Sequence, residues 1–358
     1  MLRKFLIFFL AFVSFIYVNA QDSTAKKGNL TVTGSIDAYY RYNFQNAKDS
    51  GYLNNYTSFT NSQNSFELGM ASVKADYAIG KVDGVFDLGF GRRAEEFSYT
   101  DGEADQGKSG VLSLVAVKQA YLSFAPSSKV KFTMGKWATH VGYELLDAYL
   151  NRNYSMDYLF SYGPFSHTGL KMDVTPSSNV GFMVGIANPT DFTTASFAKK
   201  NFLAQLHLAS TNTKLNAYIN YVGGKDPGDN MVSQFDAVVT GVVSSKFNIG
   251  LNGSVKSVKP DGGESDSWWG TAAYLNFDPS SALGITLRGE YFDDKKGVTG
   301  VVNTSVFDAT LSFNIHVDNL TIIPELRLDA AQDPIFFKNS GEAIKSTGSF
   351  ILAATYHF

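Results

Sequence analysis

Apolar and other side chains alternate with a period of two along almost the whole chain, and this pattern restricts the possible folds more than any other feature. In the final segment, 349–358, every second residue from Phe350 onward is apolar. Segments 306–317 and 320–331 repeat the alternation. Because successive side chains of a strand point to opposite faces, each segment is predicted to be a strand with one apolar face and one more polar face.

The same pattern predicts an all-β chain of sixteen strands. No linker or shift in composition divides them, so residues 21–358 are expected to form a single domain. The alternation is weakest in the fourth and fifth strands, where Lys118 and Lys136 interrupt it. The predicted spans are 29–42, 64–78, 82–96, 111–124, 130–142, 164–175, 180–190, 200–210, 214–224, 233–243, 247–258, 267–278, 284–293, 304–316, 320–331 and 346–358.

The joins between these strands are alternately long and short. The short joins are rich in Pro, Gly, Ser and Asn, which favour tight turns. A soluble sandwich has no need to place all its long loops at one end, whereas outer-membrane barrels have short periplasmic turns and long outer loops. The sequence therefore predicts a transmembrane antiparallel up-and-down β-barrel of about sixteen strands. The long joins are 43–63, 97–110, 143–163, 191–199, 225–232, 259–266, 294–303 and 332–345.

The chemistry of the two faces supports a barrel in a membrane. A Lys or Arg on the lipid face at mid-bilayer costs about 2–4 kcal/mol, so the charged residues in the middle of strands are expected to point inward, to water or to one another, and to line a lumen that stays wet. Aromatic residues near strand ends are expected to form the interfacial girdle. The girdle candidates are Tyr40, Tyr77, Phe90, Trp137, Tyr221, Trp269, Tyr291, Tyr356 and Phe358.

Residues 1–20 have the three parts of a secretory signal peptide. Arg3 and Lys4 give a basic start, residues 5–18 are apolar, and the segment ends at small Ala20. The apolar part is shorter than the ~20 residues that a spanning helix needs. We therefore expect cleavage after Ala20 and export of the chain to the outer membrane.

Composition excludes several functions. The net charge of -3 gives no basis for nucleic-acid binding, and the absence of cysteine excludes disulfides and thiolate sites. No nucleotide-binding or hydrolase motif is present, so we expect no enzyme, metal or cofactor. Two alternatives remain open: a hydrolase at the barrel rim that uses His140 or His167, and Ca²⁺ held by the acidic tips 226–230 and 261–266.

A sixteen-stranded barrel is wide enough for an aqueous channel, so something must narrow it to filter small solutes. The third long join, 143–163, combines charges with six aromatic residues and is expected to fold into the lumen. An outer lid or a subunit contact is the alternative. The predicted residues of the pore wall and constriction are Glu144, Asp147, Arg152, Asp157, Arg41, Lys74, Asp87, Arg93, Lys171, Asp173, Arg288, Glu290, Glu325 and Arg327.

Inward acids and bases are interleaved at similar numbers, which predicts weak ion preference. The bases could instead form an anion ladder if they cluster, although ion pairs with neighbouring acids are the simpler interpretation. A function of another class is also open: a non-conducting structural or adhesion barrel that presents loops 43–63 and 97–110 to a partner.

With these residues laid out, the mature chain resembles outer-membrane porins of the Bacteroidetes type, the OmpL-like β-barrel porin family. Met134-Gly-Lys136 and Gly142-Tyr-Glu144 resemble the stretch that precedes the third loop in several porin families. Segment 153–169 resembles the end of that loop and the next strand, and Tyr356-His-Phe358 resembles the C-terminal aromatic signature.

The resemblance implies a passive channel for small hydrophilic solutes in the outer membrane of a Gram-negative bacterium. It also implies contact with outer-membrane lipid and recognition of Phe358 by the barrel-assembly machinery. Trimers are common among sixteen-stranded porins, so a homotrimer is possible by analogy. The mixed inward charge departs from phosphate- or sugar-specific subtypes and gives no support to either.

Overall fold

The computed structural model describes residues 27–102 and 112–358, in which sixteen antiparallel strands form a closed barrel. Each barrel strand pairs with its neighbours along the chain, and the first also pairs with the last. This confirms the predicted fold class. The predicted signal peptide lies outside the described residues, as does most of the predicted loop 97–110.

The barrel strands are close to their predicted positions. Two further short strands, β16 (Phe336–Phe337) and β17 (Ala343–Ile344), form a hairpin in the last long loop. The barrel strands are β1 Asn29–Asn43, β2 Ser65–Ile79, β3 Val82–Phe90, β4 Val117–Ser127, β5 Val130–Ala138, β6 Ser166–Ser177, β7 Val180–Ala187, β8 Asn201–Ala209, β9 Leu215–Lys225, β10 Met231–Val242, β11 Phe247–Lys259, β12 Asp266–Ser280, β13 Leu283–Asp293, β14 Ser305–Val317, β15 Leu320–Ala331 and β18 Ser346–His357.

The prediction was wrong at the join between the third and fourth strands. The third strand was predicted to reach residue 96, but β3 ends at Phe90 and helix α1 (Arg92–Phe97) follows. The fourth was predicted to begin at 111, where α3 (Leu112–Val115) precedes β4. The α1 sequence, RRAEEF, is mostly strong helix formers, and this propensity prevails once pairing to β2 ends.

The remaining helices are short. They are α2 (Tyr99–Gly102), α4 (Tyr158–Ser161) and a 3-10 turn at Ala148–Leu150. Within the two described ranges, no helix is both long enough and apolar enough to cross a membrane.

The alternation breaks inside β5, and one girdle prediction was wrong for this reason. Gly135 has a φ of 136°, and a Cβ on it would lie 2.2 Å from the carbonyl oxygen of Ala120. Beyond this irregular residue, both Lys136 and Trp137 are buried. Trp137 therefore packs on the lumenal side, in a cluster of buried residues that are otherwise aliphatic or Met, and does not face lipid. Its partners are Met183, Ala187, Leu203 and Val222.

The barrel closes at the end of the chain. Gly34 and Phe358 exchange two backbone hydrogen bonds of 3.0 Å, and nine further residue pairs join β1 to β18. On the outer face, apolar side chains such as Leu251, Leu287 and Leu326 remain about half exposed at mid-strand. An exposed apolar band around a closed sheet is the surface that a bilayer covers.

This band predicts a depth-dependent effect of charge. Leu287, 45% exposed, is the fifth of eleven residues of β13, whereas Leu215 is the first residue of β9. We expect Leu287→Arg to lower the free energy of unfolding by about 2–4 kcal/mol and Leu215→Arg by about 0–1 kcal/mol. Denaturant titration of the protein folded in lipid vesicles measures both. Equal losses would contradict this placement in the bilayer.

Candidate functional site

The third loop, residues 139–165 between β5 and β6, makes its contacts with inward-facing side chains of distant strands. It begins beside β9 to β11. The backbone N–H of Gly142 donates to Asp236 Oδ1 at 3.1 Å, and that of Tyr143 donates to Asn252 Oδ1 at 3.2 Å. The Tyr143 ring then stacks on Tyr274 of β12, with centroids 4.0 Å apart. The loop thus follows the inner wall from β9 towards β12.

Two wall glutamates bind the backbone of the loop. Glu325 of β15 accepts the N–H groups of Tyr154–Ser155, at 2.7 and 3.0 Å. Glu290 of β13 accepts those of Tyr158–Leu159, at 2.8 and 2.9 Å. Both carboxylates are buried. Each therefore satisfies two consecutive amides that have no strand partner, which buried backbone groups require.

Two wall arginines supply the complementary donors. Arg288 of β13 donates to the Ser155 carbonyl oxygen at 2.7 Å, and Arg327 of β15 donates to that of Met156 at 2.7 Å. Asp308 of β14 lies between the two guanidinium groups, 3.2 Å from Arg288 Nε and 2.8 Å from Arg327 Nε. One stretch of loop is therefore held by charge-assisted bonds at both its N–H and its C=O groups.

Inside the loop, Glu144 and Asp157 join this network. Glu144 accepts from Arg288 Nη1 at 2.7 Å and from the backbone N–H of Asp157 at 2.8 Å. Asp157 accepts from the Tyr274 hydroxyl and, as the N-cap of α4, from the Phe160 N–H, both at 2.6 Å. Burial and then the Asp157 charge raise the pKa of Glu144 to about 8.

Arg93 was predicted to lie on a strand and line the pore, but it belongs to α1 and is fully buried. It donates to the backbone oxygens of Leu146 and Tyr154, at 3.2 and 3.4 Å. Its guanidinium lies over the rings of Phe59 and Tyr154. The Tyr154 hydroxyl in turn donates to Asp37 of β1 at 2.6 Å. Arg93 thus packs the second long loop onto the third.

Arg41, Asp87 and Asp147 are also in contacts that hold loops. Lys118 of β4 lies 2.6 Å from Asp147 of the third loop and 3.2 Å from Asp87 of β3. This side of the wall is separated from β13–β15 by several strands in each direction, so the loop is attached to both sides of the barrel. Arg41 donates to three carbonyl groups of the first long loop, those of Leu53, Asn54 and Ser62.

The remaining predicted residues keep part of their surface in water. Together with Asp76 and Asp278, which are not in the predicted set, they form three ion pairs, each joining one acid to one base, and none is fully buried. The pairs are Lys74–Asp76 at 3.1 Å, Lys171–Asp173 at 3.4 Å and Arg152–Asp278 at 2.7 Å.

The burial of the central charges contradicts the prediction that they line a water-filled lumen. Nine of the predicted residues are buried: Arg41, Asp87, Arg93, Glu144, Asp157, Arg288, Glu290, Glu325 and Arg327. Sequence reasoning missed Lys118, which it interpreted as an interruption of a strand, and Asp308, which joins the two wall arginines. The available signal for Asp308 was its shared inward face with Thr310 and Ser312.

His140 and His167 do come together, with ring centroids 5.2 Å apart. His140 Nε2 bonds the Tyr221 carbonyl oxygen at 3.2 Å and His167 Nε2 bonds Thr139 Oγ1 at 3.1 Å. Burial lowers the pKa of His140 to about 4. Neither of these two hydrogen bonds involves a carboxylate or a serine, the partners that a hydrolase of this type uses.

The first of the two acidic loop tips, 226–230, has internal partners. The Asp226 carboxylate accepts from the backbone and the side chain of Asn230, both at 2.9 Å. In the part of the chain that the structure describes, no three His, Asp or Glu side chains are grouped as metal ligands.

Residues 29–358 match the family model "Putative beta-barrel porin-2, OmpL-like". The chain belongs to this porin family. The family and the fold indicate a channel of the outer membrane and not an enzyme. No curated protein is significantly similar to this porin in sequence.

Solved porin structures share the fold at low sequence identity. The anion-selective porin from Comamonas acidovorans is 10% identical with a TM-score of 0.60, over 93% of this chain and 100% of that one. The outer-membrane channel DcaP of Acinetobacter baumannii is 12% identical with a TM-score of 0.59, over 95% and 100%. The trimer form of OmpT of Vibrio cholerae is 13% identical with a TM-score of 0.56, over 92% and 99%. At these identities, the likeness concerns the fold alone.

The glutamate contacts predict how the loop is held. We expect Glu290→Gln and Glu325→Gln each to lower the free energy of attachment of the loop to the wall by about 1.5–3 kcal/mol, because a charged acceptor of two buried amides is lost. Hydrogen exchange by mass spectrometry is then faster in peptides from 145–160. Glu342→Gln, which breaks an exposed ion pair with Lys338, is the control and leaves that exchange unchanged. If hydrogen exchange in peptides from 145–160 has the same rate in all three variants, the glutamates do not hold the loop.

The pKa of Glu144 predicts a pH dependence. Its folded pKa of about 8 is above its ordinary value of 4.5. Because the folded loop binds this proton more tightly than the unfolded loop does, protonation of Glu144 stabilises the folded loop. This stabilisation is fully present below about pH 4.5 and is lost as the pH rises through about 8. We expect exchange in 145–160, corrected for intrinsic rates, to be faster at pH 9 than at pH 5, and Glu144→Gln to reduce the difference. An undiminished difference in the variant would assign the effect to another group.

Proposed function

We propose that this protein is a passive porin, that small hydrophilic solutes diffuse through it, and that its third loop narrows the lumen. The attachment of the loop to two sides of the barrel, through Glu290 and Glu325 on one and Lys118 on the other, carries the proposal. A sixteen-stranded barrel leaves an aqueous channel unless something fills it, and this loop occupies part of that space.

The partly exposed ion pairs support weak ion selectivity. Lys74–Asp76, Lys171–Asp173 and Arg152–Asp278 each contribute one charge of either sign. The central bases are paired with acids and bound to loop backbone, so they do not form a free ladder for anions. We propose that the permeation path runs past the partly exposed pairs, with no strong preference for either sign.

We further propose the route by which the porin reaches its membrane. Residues 1–20 act as a cleaved signal peptide, and residues 21–358 insert as one domain in the outer membrane of a Gram-negative bacterium of the Bacteroidetes type. Phe358, whose backbone closes the barrel against Gly34, is the residue that the assembly machinery reads. A homotrimer is proposed by likeness to the OmpT trimer form.

One observation favours a second function, a non-conducting structural or adhesion barrel. The central charges of β13–β15 are buried under the third loop and do not face water. If the loop seals the lumen, its outer loops become the functional surface. Planar-bilayer recording with a salt gradient separates the two functions: discrete current steps support the porin, and a folded barrel without steps supports the second function.

Replacing Leu146–Tyr158 by a short Gly-Ser linker tests the role of the third loop. We expect single-channel conductance to rise several-fold. The reversal potential should also shift towards cations, because removing the loop exposes Glu290, Asp308, Glu325 and Asp329 beside two arginines. Shortening the exposed tip 261–264 is the control and should leave both quantities unchanged. Unchanged conductance in the loop variant, with the barrel intact, would place the loop outside the permeation path.

Single cysteines report the loop position independently, because the native chain contains none. Ser312 is fully buried and bonded to Asn153 of the loop at 2.6 Å, whereas Asp173 is partly exposed. We expect a charged thiol reagent to modify Ser312→Cys only in the loop variant, and Asp173→Cys in both backgrounds. Modification of Ser312→Cys in the intact chain would contradict the inward position of the loop.

A further inference from the structure

A cavity of about 750 Å³ lies at the outer end of the barrel, where the last part of the third loop meets the outer ends of β8–β12. Its size is within the range of small-molecule sites in proteins. Its wall combines aromatic rings with polar side chains, among them Tyr162, Phe165, Asn201, Gln234, Lys256 and Trp268. This mixture suits a solute that has both apolar and charged parts.

Lys256 of β11 is the lysine of this wall, and among the described residues no carboxylate lies within 4.0 Å of its Nζ. The Nζ donates to the Tyr162 carbonyl oxygen at 3.3 Å, and the charges of Asp191 and Asp226 act on it from further away. An ammonium group has three N–H donors, so two remain for a ligand. Two buried lysines of the inner wall, Lys118 and Lys136, each contact an aspartate.

The cavity also contains three acids, Glu96, Asp191 and Asp226, whose positions are fixed by hydrogen bonds. Asp191 accepts the N–H groups of Phe165 and Ser166 at 2.7 and 2.8 Å. Glu96 accepts a backbone N–H at 2.7 Å and Asp226 one at 2.9 Å. The three acids outnumber the single lining lysine.

We propose that this cavity is a binding site for zwitterionic solutes, namely amino acids or short peptides with an apolar side chain. The carboxylate binds Lys256, the ammonium group faces the acids, and the side chain packs on Tyr162. A simple anion is disfavoured by the three acids and a simple cation by the unpaired lysine, whereas one solute with both charges satisfies both. The inference rests on the proposed porin function, for which it names a solute class.

Three matched probes test the charge requirement: glycyl-L-phenylalanine, its N-acetylated form and its C-terminal amide. Binding to the folded mature protein in detergent is measured by calorimetry, and current block is measured in planar bilayers. We expect the free dipeptide to bind at least about tenfold more tightly than either blocked form, because a charge-assisted hydrogen bond of about 1.5–3 kcal/mol is lost with each. Equal binding of the acetylated form would indicate an anion site instead, and equal binding of the amide a cation site; either overturns the proposal.

Lys256→Met tests the lysine, and Lys246→Met is its matched control, since Lys246 is exposed at the opposite end of β11. We expect the Kd of the dipeptide to rise about tenfold or more in Lys256→Met and to remain unchanged in Lys246→Met. Lys256→Arg, which retains the charge, should restore most of the affinity. If Lys256→Met fails to fold, the affinity of Lys256→Arg for the dipeptide and the comparison of the three probes still test the proposal.

Two failures can be told apart. Current steps without saturable dipeptide binding would overturn the site and leave the porin function standing. Absence of current steps, with the dipeptide bound, would overturn the porin function and with it the role of the site in solute uptake.

Discussion

The structure depends on one requirement: a loop inside a barrel must find partners for its backbone N–H and C=O groups. Strands satisfy theirs in the sheet, but residues 154–159 have no sheet neighbour. Glu325 and Glu290 accept four of their N–H groups, and Arg288 and Arg327 donate to two of their carbonyls. A buried amide without a partner costs about 1–3 kcal/mol, so these few side chains fix the course of the loop.

This requirement explains the unequal charge of the inner cluster. Six buried acids surround two arginines: Glu144, Asp157, Glu290, Asp308, Glu325 and Asp329. In most of these acids, backbone N–H groups stabilise the carboxylate, so no further cation is needed to stabilise it. The raised pKa of Glu144 follows first from its burial and then from the neighbouring charge of Asp157. The charges that remain for solutes lie elsewhere, in the partly exposed ion pairs and at Lys256.

Much of the fold could be predicted because alternation is a local property. The Leu and Phe positions of β14, β15 and β18 identify their outer faces without knowledge of neighbours. The predicted direction of a side chain was wrong where a local irregularity shifts the alternation, as at Gly135 before Trp137. The predicted element was wrong where helix formers follow a strand, as in α1. Less of the candidate site could be predicted from the sequence. The inward direction of Arg288 and Glu325 follows from alternation, but their burial depends on a loop far away in the chain.

The sequence by itself determined the strand number, the alternation of long and short joins, and therefore a closed barrel with an apolar outer band. These properties follow from side-chain period and turn chemistry, which act over a few residues. Only the tertiary structure decided which charges contact water. Glu144 and Arg288 are 144 positions apart and join at 2.7 Å. Among the described residues, Lys256 has no carboxylate within 4.0 Å, and the returning loop offers it a carbonyl oxygen instead. Such pairings depend on the path of the third loop through the barrel, which no short segment encodes.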